Sequence, residues 1–211
     1  MKTQKNLLLV LSIFFLGSCA SSYNVISPNT LSYMSGSSDK SVNVDYKYNL
    51  LTGRYAKRET NSNVKLVAVK VTNNSGRDLH FGKDIKLVYN NGADVVMLDN
   101  AKLFDATKQH PAIYLLYLLL TPSKLTTSSG NGASNSVPIG YAIGPGIAGG
   151  NIIAASSANS KYKEELLKYD IAGTVVKNGE TVYGLVGIST NSFEGIKVKV
   201  ADLQPEVTKA D

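Results

Sequence analysis

The sequence predicts a mainly β chain, an antiparallel β-sandwich interrupted by a helical, glycine-rich insertion. Three observations carry that expectation. Period-two alternation recurs in short segments on both sides of residues 100–169, the pattern of half-buried strands. Turn-forming clusters separate these segments: Asn73-Asn74-Ser75-Gly76, Asn90-Asn91-Gly92 and Lys177-Asn178-Gly179-Glu180. Between 100 and 169 the alternation stops, and apolar and helical patterns replace it.

The first element is not a strand. Lys2 and Lys5 precede an apolar run, Leu7 to Leu16, interrupted by Ser12, and this is the layout of a secretory signal. The string Leu16-Gly17-Ser18-Cys19 resembles the lipobox read by bacterial lipoprotein signal peptidase. The resemblance implies that Cys19 is thioether-linked to diacylglycerol, becomes the first residue of the mature chain and is N-acylated. An ordinary signal segment would leave the one cysteine of an exported chain without a disulfide partner. A retained transmembrane helix needs about 20 apolar residues, more than this run offers. Residues 1–18 are therefore expected to be removed. Ala20 follows Cys19, not the aspartate associated with inner-membrane retention, and no acidic export tag follows. The expected place is the outer membrane of a diderm bacterium, on its periplasmic face.

Composition narrows the remainder. The chain has 211 residues and a formal charge of +6; Lys2 and Lys5 supply two of these, leaving +4 from Cys19 onward. The positive charges are scattered, which gives nucleic-acid binding little support. Residues 19–41, rich in Ser and Asn, are expected to be a lipidated tether, with a short ordered piece near Val25-Ile26.

From Val42 the elements follow in order. Val42, Val44, Tyr46 and Tyr48 alternate with polar residues. Val64–Thr72 is dense in β-branched residues and predicts a central strand buried on both faces for part of its length. Leu79–Phe81, then Ile85, Leu87 and Tyr89, give two more strands, and Asn90-Asn91-Gly92 signals a hairpin into Val95–Leu98. After the interruption come Ile171–Val176, Thr181–Ser189 and Ile196–Val200, with residues 202–211 as a tail. Short antiparallel strands at this spacing argue for a sandwich built from 42–99 and 170–201.

Val67-Ala68-Val69-Lys70-Val71-Thr72-Asn73-Asn74-Ser75 with Ile85-Lys86-Leu87-Val88-Tyr89, and Asn178-Gly179-Glu180-Thr181-Val182-Tyr183-Gly184-Leu185-Val186, resemble the two halves of telokin-like, immunoglobulin-like modules of bacterial lipoproteins. The resemblance implies an immunoglobulin-like sandwich and brings no catalytic residues with it. On physical grounds Gly179 suits a turn at positive φ, and Gly184 a close backbone approach.

Residues 100–169 are expected to form a helical hairpin. Pro111 suits a first helical position, and Ala112–Leu120 is apolar all round, which requires burial in protein or lipid. Ser123–Ser136 is a polar loop. Val137–Ala155 is apolar with seven Gly or Pro residues, and Asn151–Tyr169 has helical character, with Ile152, Ala155, Tyr162, Leu166 and Tyr169 near one face. Gly140, Gly144, Gly146 and Gly150 give two GxxxG spacings, which read either as a close-packing helix face or as a glycine-rich loop over the sandwich. Pro145 argues against one spanning helix. With Ile113, Leu116 and Leu120 these glycines form the candidate interaction surface.

Chemistry-bearing motifs are scarce. His80 and His110 have neither HExxH spacing nor a cysteine partner, so no metal is expected. The glycine run lacks a P-loop ending, and GxSxG is absent. Adjacent Glu164 and Glu165 are expected on a solvated face, as are Lys197 and Lys199. No cofactor and no catalytic residues are expected. Two functional classes remain. One is a non-enzymatic binding or scaffold lipoprotein that uses the sandwich edge or the insertion to hold a protein or envelope component. The other is a membrane-active or self-associating lipoprotein that uses the insertion. Burial or exposure of Ile113–Leu120 and Ile139–Ile153 separates them.

Overall fold

The computed structural model describes residues 19–33, 35–128 and 134–202. The expected signal segment 1–18 and all but the first residue of the expected tail 202–211 lie outside the described residues. The strands are β1 (Ser35–Asp39), β2 (Val42–Lys47), β3 (Val64–Asn73), β4 (Leu79–His80), β5 (Ile85–Tyr89), β6 (Met97–Leu98), β7 (Leu125–Ser128), β8 (Ser134–Val137), β9 (Val175–Val176), β10 (Thr181–Ser189) and β11 (Ile196–Val200). The helices are α1 (Gly53–Asn61), α2 (Asn100–Thr107) and α3 (Gly140–Lys168), with 3₁₀ segments η1 (Pro28–Thr30) and η2 (Pro111–Leu120). Contacts divide the chain into two compact units, 24–107 with 162–202, and 19–23 with 108–161.

The first unit is mainly β. Its five-stranded antiparallel sheet runs β1-β2-β3-β10-β6, and two pairs, β5-β11 and β4-β9, accompany it. β3 and β10 form the longest ladder, from Val64↔Ser189 to Thr72↔Thr181. Alternation gives this pair two apolar faces. Val67, Val69, Val71, Val186 and Ile188 enter one buried cluster with Ile85, Leu87, Ile196, Val198 and Val200 from β5 and β11. Leu66, Ala68 and Leu185 point the other way and are equally buried. There, α1, α2 and the last turns of α3 cover the sheet. Tyr55 and Tyr162 meet edge-to-face with centroids 5.1 Å apart, and Tyr162 shares a 2.9 Å hydrogen bond with Thr107. Burial of the β3 strand on both faces is thus as expected. The α1 helix between β2 and β3 was not, because its buried stripe is only Tyr55 and Glu59.

Both glycines of β10 mark close approaches. A Cβ on Gly184 would lie 2.5 Å from Ile171 Cβ, and one on Gly187 would lie 2.9 Å from Leu103 Cδ2. Gly179 sits at φ +80°, as its turn requires. Buried Asn73 closes the preceding turn. Its amide donates to the carbonyls of Arg77 (2.7 Å) and Val176 (2.8 Å), while its Oδ1 accepts from the Ser75 amide at 3.0 Å. Asn90-Asn91-Gly92 turns the chain as expected, but the returning segment pairs with β5 only around Asp94. It then crosses to β10, where Met97 faces Ile188.

Three expectations change. Residues 35–41 are not tether: β1 pairs with β2 through the two-residue turn Lys40-Ser41, both at positive φ, the primed hairpin geometry. Its polar side chains act as backbone surrogates. Ser37 Oγ and Asp39 Oδ2 accept the β11 amides of Val198 and Val200, both at 2.7 Å. Second, α2 and residues 162–168 of α3 belong to the β unit, so the inserted unit is 108–161 and not 100–169. Its flanks do converge, with Asn100 Nδ2 donating to Leu166 O at 3.2 Å. Third, Glu165 is not solvated like Glu164. It is buried, and its carboxylate oxygens have no hydrogen-bond partner among the described residues.

Glu59 and Lys65 form a buried ion pair at 3.9 Å. Glu59 Oε1 also accepts the Leu66 amide at 2.7 Å, and the Lys65 ammonium lies 4.5 Å from the Phe193 ring centroid. Burial raises the Glu59 pKa more than the Leu66 amide and Lys65 lower it.

Two predictions follow from this packing. Replacing 108–161 with a short Gly/Ser linker leaves a cooperatively melting β unit by circular dichroism, because Thr107 and Tyr162 already touch. Excising 101–168 removes Leu103, Tyr162 and Leu166 and yields an aggregating product. Glu59→Ala costs about 3–5 kcal/mol in urea denaturation, since it strands a buried ammonium. Because the folded pKa of Glu59 is raised, the native state binds more protons than the unfolded chain between the ordinary Glu range and that raised value. Stability from this group therefore falls as pH rises through that window. Glu59→Gln removes that slope while keeping an acceptor for the Leu66 amide.

Candidate functional site

The inserted unit holds most of the exposed large apolar side chains. Its composition explains why they stand out. Residues 111–160 contain one charged side chain, Lys124, and no Asp or Glu, so the surface cannot be made polar by charge.

Local geometry decides which side chains emerge. Pro111 opens η2 and His110 caps it in an extended conformation. With three residues per turn, only every third position turns inward. Tyr114 is buried, while Pro111, Tyr117 and Leu120 are half-buried. The Tyr114 and Tyr117 rings stack 6.5 Å apart. The other two thirds of an all-apolar run must emerge, and Ile113, Leu115, Leu116, Leu118 and Leu119 do, Leu116 being 63% and Leu119 74% exposed. Across the β7-β8 hairpin, Leu125 faces Val137, and both are exposed. On α3, Tyr141 and Ile153 are 68% and 71% exposed.

The glycines divide by role. A Cβ on Gly140 would strike the Leu120 and Thr121 carbonyl oxygens, and one on Gly144 would lie 2.9 Å from Tyr117 O. These two let η2 approach the α3 backbone, which is the use GxxxG spacing has between helices. The Gly140 amide also donates to Ser123 O at 3.0 Å. Gly146 and Gly150 would meet nothing within 4 Å. Pro145 lies inside the continuous helix and leaves the Tyr141 carbonyl without its i+4 amide donor.

Cys19 is exposed, and the residues after it are docked on this same unit. The Ala20 amide donates to Asn151 Oδ1 at 2.6 Å. The Gln109 side chain clasps Ser21, accepting its amide at 2.9 Å and donating to its carbonyl at 2.7 Å. Gln109 is held in turn by Asn159, through 3.0 and 2.9 Å hydrogen bonds to its backbone. Gln109, Asn151 and Asn159 were not singled out from sequence. The available signal was two asparagines eight residues apart on the helix face carrying Ala148 and Ala155, where two helical turns return to the same side.

Titratable groups elsewhere among the described residues are engaged locally. Burial raises the Tyr162 phenol pKa, opposed by its bond to Thr107. His80 is exposed, and Asp84 accepts its amide at 2.8 Å, which holds the Asp84 carboxyl below the usual range. A cavity of about 110 Å³ is lined by Asp99, Asn100 and Asp170. Asp99 is engaged with the Lys102 amide at 2.7 Å, and Asp170 with that of Ala172 at 3.0 Å. Among the described residues no group of three or more His, Cys, Asp or Glu could hold a metal ion. No described helix is long and apolar enough to cross a membrane. Comparison with protein-family models, with curated proteins and with solved structures finds no match.

The division among the glycines gives a paired prediction. Gly140→Val and Gly144→Val disrupt the η2–α3 contact and lower Tm markedly. Gly146→Ala and Gly150→Ala are tolerated or stabilise, by up to about 1 kcal/mol each from helix propensity, in the same thermal melts.

Proposed function

We propose that this chain is an envelope lipoprotein acting by contact rather than catalysis, with the unit 108–161 as its contact surface. The observation that carries this reading is the exposure of the aliphatic residues of η2, the β7-β8 hairpin and α3. A chain that keeps leucines 116 and 119 in water gains nothing from them in isolation: each exposed leucine forgoes about 1.5–3 kcal/mol of burial. An exposed apolar surface of this kind marks an interaction site. Of the two functional classes considered, this favours the membrane-active or self-associating lipoprotein over a scaffold working through the sheet edge.

The rest of the reading is proposed with it. Cys19 carries the diacylglyceryl thioether and an N-acyl chain, and the mature chain resides on the periplasmic face of a diderm outer membrane. The β unit is an immunoglobulin-like sandwich of the telokin-like kind. Support for that form lies in one buried cluster shared by the five-stranded sheet and the β5-β11 pair.

The test is anchorage. One acyl chain binds a bilayer only marginally, and two or more hold firmly. Cys19→Ala in the producing cell shifts the protein from the membrane fraction to the soluble fraction, or leaves unprocessed precursor. Intact mass of the wild-type membrane form shows the lipid adduct. A wild-type mass without that adduct removes the lipoprotein reading.

A further inference from the structure

The structure permits an inference about what covers the apolar face, and it rests on the lipidation of Cys19 proposed above. We infer that the occupant is the phospholipid leaflet that holds the Cys19 acyl chains, entered jointly by those chains and by the exposed aliphatic side chains of η2.

An anchored domain behind a flexible tether of n residues roams roughly 5–6 Å × √n from its anchor, and its surface need not touch lipid. Here residue 20 is already bonded to Asn151, and residue 21 is clasped by Gln109 on both its amide and its carbonyl. The clasp is built into the unit, because Gln109 is buried, as is Asn159, which holds it. The thioether sulfur is thus one residue from a fixed point on α3. Acyl chains starting there place the unit 108–161 at the bilayer surface, whatever the β unit does.

The chemistry of that unit suits such a position. It offers aliphatic side chains at Leu115, Leu116, Leu118 and Leu119. Along 111–160 it has no carboxylate to be repelled by anionic headgroups, and its one charge, Lys124, is of the attractive sign. The backbone of η2 is wound as a 3₁₀ helix, and its last carbonyls are also used, Leu118 O accepting the Thr121 amide at 3.0 Å and Leu120 O that of Ser123 at 2.9 Å, as a lipid contact requires. Ten 3₁₀ residues rise about 20 Å, less than the ~30 Å hydrocarbon core, so the contact is with one leaflet. A second copy of the chain is the competing occupant, but nothing about the position of Cys19 would be needed for self-association.

The test uses the full-length lipidated protein, purified from membranes and reconstituted in phosphatidylethanolamine/phosphatidylglycerol vesicles. Single cysteines are introduced at exposed positions, Leu116→Cys or Leu119→Cys on η2 and Lys197→Cys on β11 as reference, and labelled with an environment-sensitive fluorophore. The expected result is a blue-shifted emission at 116 and 119, quenched several-fold more by doxyl-labelled lipids than emission at 197. Intact mass of each sample reports the acyl adduct independently. If the adduct is present and η2 labels stay water-exposed, the inference is overturned while the lipoprotein reading stands. If the labels are shielded but insensitive to doxyl lipids, and 119 crosslinks to 119 of another copy, a second copy covers the face and the inference is again overturned. If the mass shows no adduct, the lipoprotein reading falls, and this inference with it.

Discussion

The β3–β10 ladder is the constraint on which the β unit depends. Two adjacent strands whose residues alternate between apolar faces expose hydrophobic surface above and below the sheet, and both sides must be covered. The β5-β11 and β4-β9 pairs cover one side. On the other side helices α1, α2 and the end of α3 take the place of strands. This requirement explains why the boundary of the inserted unit falls inside a helix. The last turns of α3 carry Tyr162 and Leu166, which the sheet needs, whereas residues before 162 belong to the apolar unit.

Close approach at small residues recurs as the packing device. Gly184 and Gly187 admit Ile171 and Leu103 to the two faces of β10, and Gly140 and Gly144 admit the η2 carbonyls to α3. A side chain at any of these positions would hold the packed partner off by about the width of a methyl group, and interiors do not absorb such a gap cheaply. Where polar segments must join the structure, side chains take over backbone roles. Ser37 and Asp39 accept amides that a further strand would otherwise satisfy, and Gln109 and Asn159 exchange hydrogen bonds as neighbouring strands do.

The two units differ in what keeps them apart from water. The β unit alternates buried Val, Ile and Leu with exposed Lys on β11 and β5, so its outer face is solvated. The inserted unit has a run of ten apolar residues wound as 3₁₀ helix, and a helix with three residues per turn can hide only a third of them against one neighbour. Its exposed aliphatics are a direct outcome of that geometry. Because residues 20 and 21 are bonded to this unit, the modification expected at Cys19 and the apolar surface are properties of one structural body.

The sequence by itself determined the strands whose alternation matches their pairing: β5, β10 and β11, the doubly buried β3, and the turn glycines 76, 92 and 179 at positive φ. Period-two burial survives in β5 and β11, which have one face against the core, whereas β3 and β10 are buried on both faces and read as apolar runs. It also marked 111–120 as an unbroken apolar run. Only the tertiary structure decided the rest. β1 is Ser-Gly-Ser-Ser-Asp, with no hydrophobic period to read, and it is held through side-chain bonds to a strand some 160 residues away. Glu165 reads as half of an acidic surface pair, yet the helix phase turns it inward beside Leu166. The Gly140–Gly150 stretch reads as loop sooner than helix, since glycine and proline oppose helix formation locally; the structure corrects this, because α3 runs through it without a break. The side-chain amides that hold residues 20 and 21, Gln109, Asn151 and Asn159, meet across sequence separations that no local pattern encodes. Local periodicity reports which face of an element is buried; what lies opposite that face depends on the whole chain.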